Sequence, residues 1–158
     1  MDALKVLFTT SSGRISRKQW WLGVVGLVIA SIVLTIILGI VGLGSNSAWG
    51  QLIAFLILLY PNLCIGLKRR QDRDNNGNDI KALLGVSGVL SLLQALGIGT
   101  TLTDIGNGTM VATPNTIMSI VYFAVAIFGL YILVQLGFLK GTSGPNSYGA
   151  DPLGYAAA

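Results

Sequence analysis

The sequence contains no histidine, no glutamate and a single cysteine, Cys64. Histidine is the side chain that most often acts as a general base or a metal ligand near neutral pH. One cysteine alone can form neither an internal disulfide nor a multi-cysteine metal site, and Cys64 lies in an apolar run where a thiol behaves as a small hydrophobic group. The composition therefore predicts a protein that is not an enzyme and carries no catalytic residues, cofactor or metal.

Charge is also scarce, because 10% of the 158 residues are charged and 53% are hydrophobic. A soluble domain has about 25% charged residues, so this chain has too few polar groups to cover a water-facing surface. A helix of about 20 apolar residues crosses the hydrocarbon core of a bilayer. We predict an all-α membrane protein, a four-transmembrane-helix bundle forming one polytopic domain over residues 1–158. The predicted spans cover about residues 20–43, 51–67, 82–101 and 116–139, and a tail covers 141–158.

Local signals refine these spans. Ser16 and Gln19 form a capping-box pattern, which predicts that the first helix begins at Arg17. The first apolar run has 24 residues and exceeds the roughly 7–15 residues of a signal-peptide core, so we interpret it as a retained span. The third span contains many Gly, Ser and Gln residues, and we expect it to lie toward the bundle interior. Residues 103–115 are expected to form a loop.

The basic residues predict the orientation. All ten precede the first predicted span, lie between the second and third, or follow the fourth. The positive-inside rule then places the N- and C-termini in the cytoplasm. The net charge of +4 would also suit nucleic acid, but cations that flank apolar spans are better explained by anionic lipid headgroups. We therefore expect the lipid bilayer as a partner and no nucleic acid.

Residues 68–81 form a charged segment, which holds five of the ten basic and three of the six acidic residues. If the second helix continues beyond the membrane, Lys68 with Asp72 and Arg70 with Asp74 become i,i+4 ion pairs. Asp79 then fits the N-cap of the third span.

The charged segment also resembles part of a calcium-binding EF-hand loop. Asp72, Asp74, Asn76 and Gly77 occupy the first, third, fifth and sixth positions of that pattern. The twelfth position requires a bidentate carboxylate, and here it is Leu83. We therefore expect no calcium site.

Tyr60 and Asn62 are polar at membrane depth and should face the bundle. With Gln94 and Gln135 they suggest an alternative function, a small-molecule carrier or channel with a polar pocket, although mutual packing around the kink expected at Pro61 is the favoured explanation of the first two. The pocket residues are Tyr60, Asn62, Gln94 and Gln135.

Three separated segments together resemble a known family. Residues 13–21 (GRISRKQWW) resemble a "GRxxRxxFW" opening, and Pro61 followed by residues 68–77 (KRRQDRDNNG) resembles a proline and a "KRLHDRxxSG" loop. Residues 144–152 (GPNSYGADP) resemble a "GxNxYGxDP" tail. These are the motifs of domain of unknown function 805 (DUF 805), a family of small bacterial inner-membrane proteins. The resemblance implies a polytopic protein of the bacterial inner, or cytoplasmic, membrane with no established activity. The chain departs from the pattern at Gln71, where the family has histidine, and at Asn78, where it has an aromatic residue.

All three motifs fall on the predicted cytoplasmic side and should form one surface. The predicted function is a non-catalytic interaction protein or accessory subunit, which binds anionic lipids, another membrane protein or a larger membrane complex through that basic face. The residues of this predicted interaction surface are Arg14, Arg17, Lys68, Arg69, Arg70, Asp72, Arg73, Asp74, Gly77, Asn146 and Tyr148.

Overall fold

The computed structural model describes residues 2–104, 106, 108 and 110–154. Residues 155–158 of the predicted tail lie outside the described residues. The described part of the chain is mostly helical, with one short hairpin of strands. The elements are α1 (Asp2–Thr9), α2 (Arg17–Ile40), α3 (Ala48–Gln71), α4 (Asn78–Ala95), β1 (Thr100–Asp104), β2 (Met110–Pro114), α5 (Thr116–Leu133) and a π-helix (Val134–Phe138) that continues α5.

Three helices are long and apolar enough to cross a membrane: α2, α3, and α5 together with its π-helical continuation. The helix α4 is less apolar, because its 18 residues include Asn78, Asp79 and Lys81 in the first turn. The remaining residues 82–95 extend roughly 21 Å at 1.5 Å per residue, against about 30 Å for the hydrocarbon core. The composition of the helices therefore establishes three candidate spans, and α4 is a shorter fourth helix beside them.

The central element of the bundle is α3, which packs against α1, α2, α4 and the π-helix. Our expectation that α4 lies toward the interior is wrong, because its buried residues are only Ile80 and Leu90. One side of α4 packs against Phe55 of α3 at Gly88, where a Cβ added to the glycine would lie 3.1 Å from the ring. The small residues of α4 thus permit contact on one side, while Val86 and Val89 remain exposed on others.

The short helix α1 occupies a groove between α2 and α3. Leu7 is buried there, and a Cβ added at Gly23 would lie 3.5 Å from Leu7 and 3.3 Å from Ile65 of α3. The ring of Phe8 lies 3.2 Å from the Cβ position of Gly26. The glycines of α2 therefore create the space in which the apolar side of α1 packs.

A two-stranded hairpin connects α4 to α5, so the chain is mostly rather than entirely helical, and strands occupy part of the predicted loop over residues 103–115. β1 and β2 pair antiparallel from Thr100 opposite Pro114 to Asp104 opposite Met110. The third predicted span extended to residue 101, but α4 ends at Ala95. Gly97 and Gly99 adopt φ values of +71° and +74°, which glycine tolerates and a helix does not. The threonine-rich residues that follow favour a strand.

The helix start at Arg17 is confirmed, with its capping box complete. The Ser16 hydroxyl accepts from the Gln19 N–H at 3.3 Å, and the Gln19 side chain accepts from the Ser16 N–H at 2.8 Å. The predicted N-cap at Asp79 is wrong, because α4 begins at Asn78 with Asp79 inside its first turn, and Gly77 occupies the cap with φ +69°. A Cβ at Gly77 would also contact the end of the Leu67 side chain. Glycine is therefore favoured at this turn by its backbone conformation.

Candidate functional site at the basic end of the bundle

All ten basic residues lie at one end of the helices, which we call the basic end. α2 and α4 begin there, and α3 and the π-helix end there, so residues far apart in the sequence meet. The opposite end carries the hairpin and the turn between α2 and α3, and we call it the hairpin end. Of the six aspartates, only Asp104 lies at the hairpin end.

Asp72 is the centre of a buried ion cluster at the basic end. Its Oδ1 accepts from Arg14 Nε at 3.0 Å, and its Oδ2 accepts from Arg69 Nη1. Arg69 is 0% exposed and Asp72 3%, while Arg69 Nε donates to the Leu136 carbonyl at 2.8 Å. Buried charges persist only when they are paired and hydrogen-bonded. We call Arg14, Arg69 and Asp72 the Asp72 cluster.

A second ion pair joins the charged segment to the start of α4. Arg70 donates through Nε, at 3.2 Å, and through Nη2 to the two carboxylate oxygens of Asp79. Gln135 Oε1 accepts from Arg70 at 3.0 Å and also from Arg73. Burial lowers the pKa of the Arg73 guanidinium, and the neighbouring Arg70 cation lowers it further. The predicted pair of Arg70 with Asp74 is wrong; Asp74 instead accepts from the Ser147 N–H at 3.1 Å.

Lys68 holds the C-terminal end of α1. Its Nζ donates to the carbonyls of Val6 at 2.6 Å and Leu7 at 2.8 Å, and to Thr10 Oγ1 at 3.3 Å. Three acceptors match the three donors of an ammonium group, and a cation at a helix C-terminus is favourable for the helix dipole. The predicted pair of Lys68 with Asp72 is therefore wrong.

The tail lies against the Asp72 cluster through backbone groups. Arg14 donates to the carbonyls of Thr142 at 2.6 Å, Gly144 at 2.7 Å and Gly149 at 3.1 Å. The Thr142 N–H and Oγ1 both donate to the Asp72 carbonyl, at 2.9 and 3.0 Å. Asn146 Nδ2 donates to the Gln71 carbonyl at 2.9 Å. The three sequence motifs therefore contact one another directly.

These contacts change the character of the predicted interaction surface. Its members converge at the basic end, but several are internal: Lys68, Arg69, Arg70 and Asp72 are at most 5% exposed, and Gly77 is buried. Of the remaining members, Arg17 and Asp74 are exposed, and Arg14, Arg73, Asn146 and Tyr148 are partly buried. The buried cations hold the fold together, so only the exposed ones are available to a partner.

A cavity of about 580 Å³ opens beside the Asp72 cluster. Two exposed cations line it, Arg17 and Lys140, together with the backbone of the first tail residues. Arg17 Nη1 donates to the Phe138 carbonyl at 3.0 Å. The predicted interaction surface included Arg17, but the sequence analysis did not predict the cavity. The sequence feature that could have indicated it is Lys140, the cation directly after the fourth apolar run. The lining residues are Ser16, Arg17, Arg69, Asp72, Lys140, Gly141, Thr142, Ser143, Asp151, Pro152 and Leu153.

The four residues of the predicted polar pocket do not come together. Gln94 accepts from the Tyr122 hydroxyl at 3.3 Å near the end of α4, whereas Gln135 binds Arg70 at the other end of the bundle. Tyr60 is 52% exposed, contrary to our expectation that it faces the bundle, and its hydroxyl donates to the Thr9 carbonyl at 2.9 Å. Asn62 donates to the Leu58 carbonyl one turn earlier, at 3.0 Å.

Gln71 and Asn78, the two departures from the family pattern, have different surroundings. The Gln71 side chain is 9% exposed, and its Nε2 donates to the Ser11 carbonyl at 3.2 Å. Within the part of the chain that is described, its buried Oε1 has no hydrogen-bond partner. Asn78 is exposed and starts α4. Asp72, the first of the EF-hand-like positions, binds arginines instead, since both of its carboxylate oxygens accept from Arg14 and Arg69.

The chain matches a known protein family. The structure defines a mostly helical protein with three helices suited to cross a membrane. The family model described as "Protein of unknown function (DUF805)" matches residues 8–150, nearly the whole chain. The chain belongs to this DUF805 family. Searches of curated proteins and of solved structures returned no match.

Proposed function

We propose that the chain is a four-span protein of the bacterial inner membrane with both termini in the cytoplasm. In this proposal α4 spans despite its shorter apolar stretch, with residues 96–99 completing the crossing and the hairpin lying beyond it on the far side. The segregation of all ten basic residues to one end of the helices supports this orientation, because cytoplasmic flanks of spans are rich in Lys and Arg.

We further propose that the protein is a non-catalytic interaction or accessory subunit, whose basic end binds anionic lipid or another membrane protein. The observation that carries this proposal is the division of the cations into two groups. Arg14 and Arg69 share a salt bridge with Asp72, and Arg70 forms one with Asp79. Another five basic residues remain exposed at the same end: Lys5, Arg17, Lys18, Lys81 and Lys140. Exposed cations beside apolar helices attract an anionic leaflet by about 1 kcal/mol each.

The carrier or channel alternative has weaker support, because its polar residues lie apart. The cytoplasmic orientation of the basic end can be tested by cysteine labelling in intact cells, with Cys64→Ala as background. A membrane-impermeant maleimide added outside should label Asn46→Cys and Leu102→Cys, both at the hairpin end, and should spare Ser12→Cys and Ser143→Cys at the basic end. Labelling of Asn46→Cys and Leu102→Cys from opposite sides would contradict a spanning α4.

Photo-crosslinking tests the interaction role. A photoreactive side chain at Lys18, exposed at the basic end, should give adducts of defined mass with phospholipid or with one membrane protein. The matched sites are Ile37, exposed on the apolar face of α2, and Leu102 in the hairpin. The same adducts at all three sites, or none at Lys18, would count against the interaction role. A substrate-dependent flux in liposomes would instead favour the carrier.

A further inference from the structure

We propose that the cavity bounded by Arg17 and Lys140 is a binding site for the phosphate headgroup of an anionic phospholipid. This inference rests on the proposed membrane orientation and goes beyond it, because it assigns a specific site rather than a diffuse basic face. Three independent features of the structure support it: the charges of the lining, the depth of the cavity along the helices, and its size.

The lining of the cavity carries a net positive charge, which a bound anion would compensate. Asp72 is already bound by Arg14 and Arg69. The other carboxylate, Asp151, accepts from the backbone N–H groups of Gly144 and Leu153, both within the tail.

Arg17 and Lys140 form no salt bridge within residues 2–104, 106, 108 and 110–154. Arg17 donates only one of its N–H groups there, to the Phe138 carbonyl. A guanidinium group presents five donors in a fork that matches phosphate oxygens, and an ammonium group adds a second cation across the cavity. Ser143 also lines this cavity.

The depth of the cavity corresponds to the headgroup region. One turn along α2 from Arg17, the Trp21 ring contacts Phe138 edge to face, with 6.0 Å between ring centroids. Trp21 Nε1 donates to the Gly137 carbonyl at 3.2 Å. Tryptophan is enriched at the membrane–water interface. Beyond this aromatic pair, α2 exposes Leu22 and Val25, so an acyl chain can run along the helix while its phosphate reaches the cavity.

The size agrees with a headgroup. Ligand sites commonly have volumes of about 300–1,000 Å³, and the cavity has about 580 Å³. A free phosphate ion would occupy little of this space and would gain nothing from the neighbouring apolar face of α2. The geometry therefore favours an amphiphile over a soluble anion.

Tryptophan quenching by brominated lipids tests the site in the full-length protein. The protein carries Trp49→Phe to remove the fluorophore at the hairpin end, and it is reconstituted in phosphatidylcholine vesicles with increasing brominated phosphatidylglycerol. Brominated phosphatidylcholine in phosphatidylglycerol vesicles is the reciprocal measurement. We expect a preference for the anionic lipid near Trp21, and a loss of about fivefold in that preference for each of Arg17→Gln and Lys140→Gln.

The matched controls are Lys18→Gln and Lys81→Gln, which remove exposed cations of the same end outside the cavity lining. We expect them to keep the preference within about twofold of the parent protein. Arg17→Lys keeps the charge and should retain most of the preference, which separates loss of the cation from loss of the fold. Equal losses in the controls would show diffuse surface attraction and overturn the site.

Two further outcomes would also overturn it. The first is an unchanged preference in the double variant Arg17→Gln/Lys140→Gln. The second is relief of quenching by millimolar inorganic phosphate, which would show that a soluble anion is sufficient. Neither outcome alters the labelling pattern or the Lys18 adducts expected above, so failure of this site and failure of the proposed function are distinguishable.

Discussion

At the residue scale, the charged segment illustrates what local spacing can and cannot predict. The position of the cations was evident from the sequence, because they interrupt apolar runs. Their partners were not, because i,i+4 spacing suggested Asp72 for Lys68, whereas Asp72 binds Arg14 from 58 residues away. The long-range partner of Asp72 can be identified only from the structure, in which the helix ends meet. A buried, hydrogen-bonded ion pair also interacts more strongly with Asp72 than an exposed i,i+4 pair would.

The Asp72 cluster gives the first stability prediction. Asp72→Asn removes the negative charge that compensates two arginines whose side chains are at most 1% exposed. Loss of one partner from a buried ion pair costs about 3–5 kcal/mol. We expect a decrease of that size in the free energy of unfolding, measured by denaturant titration in a mild detergent.

Asp74→Asn is the matched control, because Asp74 is exposed and forms no salt bridge within the described part of the chain. Its φ of +55° is also tolerated by asparagine. We expect a change below about 1 kcal/mol. Equal effects of the two substitutions would mean that the arginines find compensation elsewhere.

At the scale of elements, hydropathy predicted the helices well and their ends less well. The three most apolar helices overlap the predicted spans closely, although α2 ends before residue 43, because a long apolar run has few alternatives to a helix. The hairpin was missed because the uncharged residues 96–101 extended the third predicted span, whereas Gly97 and Gly99 have positive φ and the helix ends before them. The groove that receives α1 depends on Gly23 and Gly26 of α2, and the spacing of glycines in a helix does not tell which element packs against them.

Lys68 gives a prediction for α1. Lys68→Met keeps the apolar contacts of the side-chain stem but removes the donors to Val6, Leu7 and Thr10. A hydrogen bond to a charged group contributes about 1.5–3 kcal/mol, so the amides of residues 6–10 should exchange with solvent about ten- to a hundredfold faster. Hydrogen–deuterium exchange with mass spectrometry measures this directly.

Lys81→Met provides the comparison, since Lys81 is exposed and its ammonium group donates only to Asn78 within the described residues, at 3.3 Å. Protection of residues 6–10 should then equal that of the parent protein. Unchanged protection in Lys68→Met as well would show that packing of Leu7 and Phe8 alone holds α1.

At the scale of the whole molecule, the three family motifs meet at the basic end and contact one another. Their common location could be predicted from the positions of the spans, and it led us to expect an open surface. The structure shows that much of this surface is occupied by mutual contacts between the motifs. Whether a motif residue is exposed or takes part in these contacts depends on the direction of its side chain. The sequence pattern does not predict that direction for residues such as Arg14, which lies between helices.

A double-mutant cycle tests this mutual dependence. Truncation after Lys140 removes the three carbonyls that Arg14 binds, and Arg14→Met removes the donor. Because the two changes delete the same contacts, their effects on the free energy of unfolding should fall short of additivity by about 1–3 kcal/mol. Additive effects, within about 0.5 kcal/mol, would show that the tail and Arg14 stabilise the protein separately.

The contact between Arg14 and Gly149 also affects when the basic end is completed during synthesis of the chain. The two residues are separated by 135 positions, so at about 5–20 residues per second the ribosome delivers the second about 7–27 s after the first. The apolar helices are all made within that interval, whereas Arg14 and the Asp72 carbonyl still lack their acceptors and donors from the tail. A newly made chain therefore completes its basic end last, and a chain released too early would carry this defect permanently.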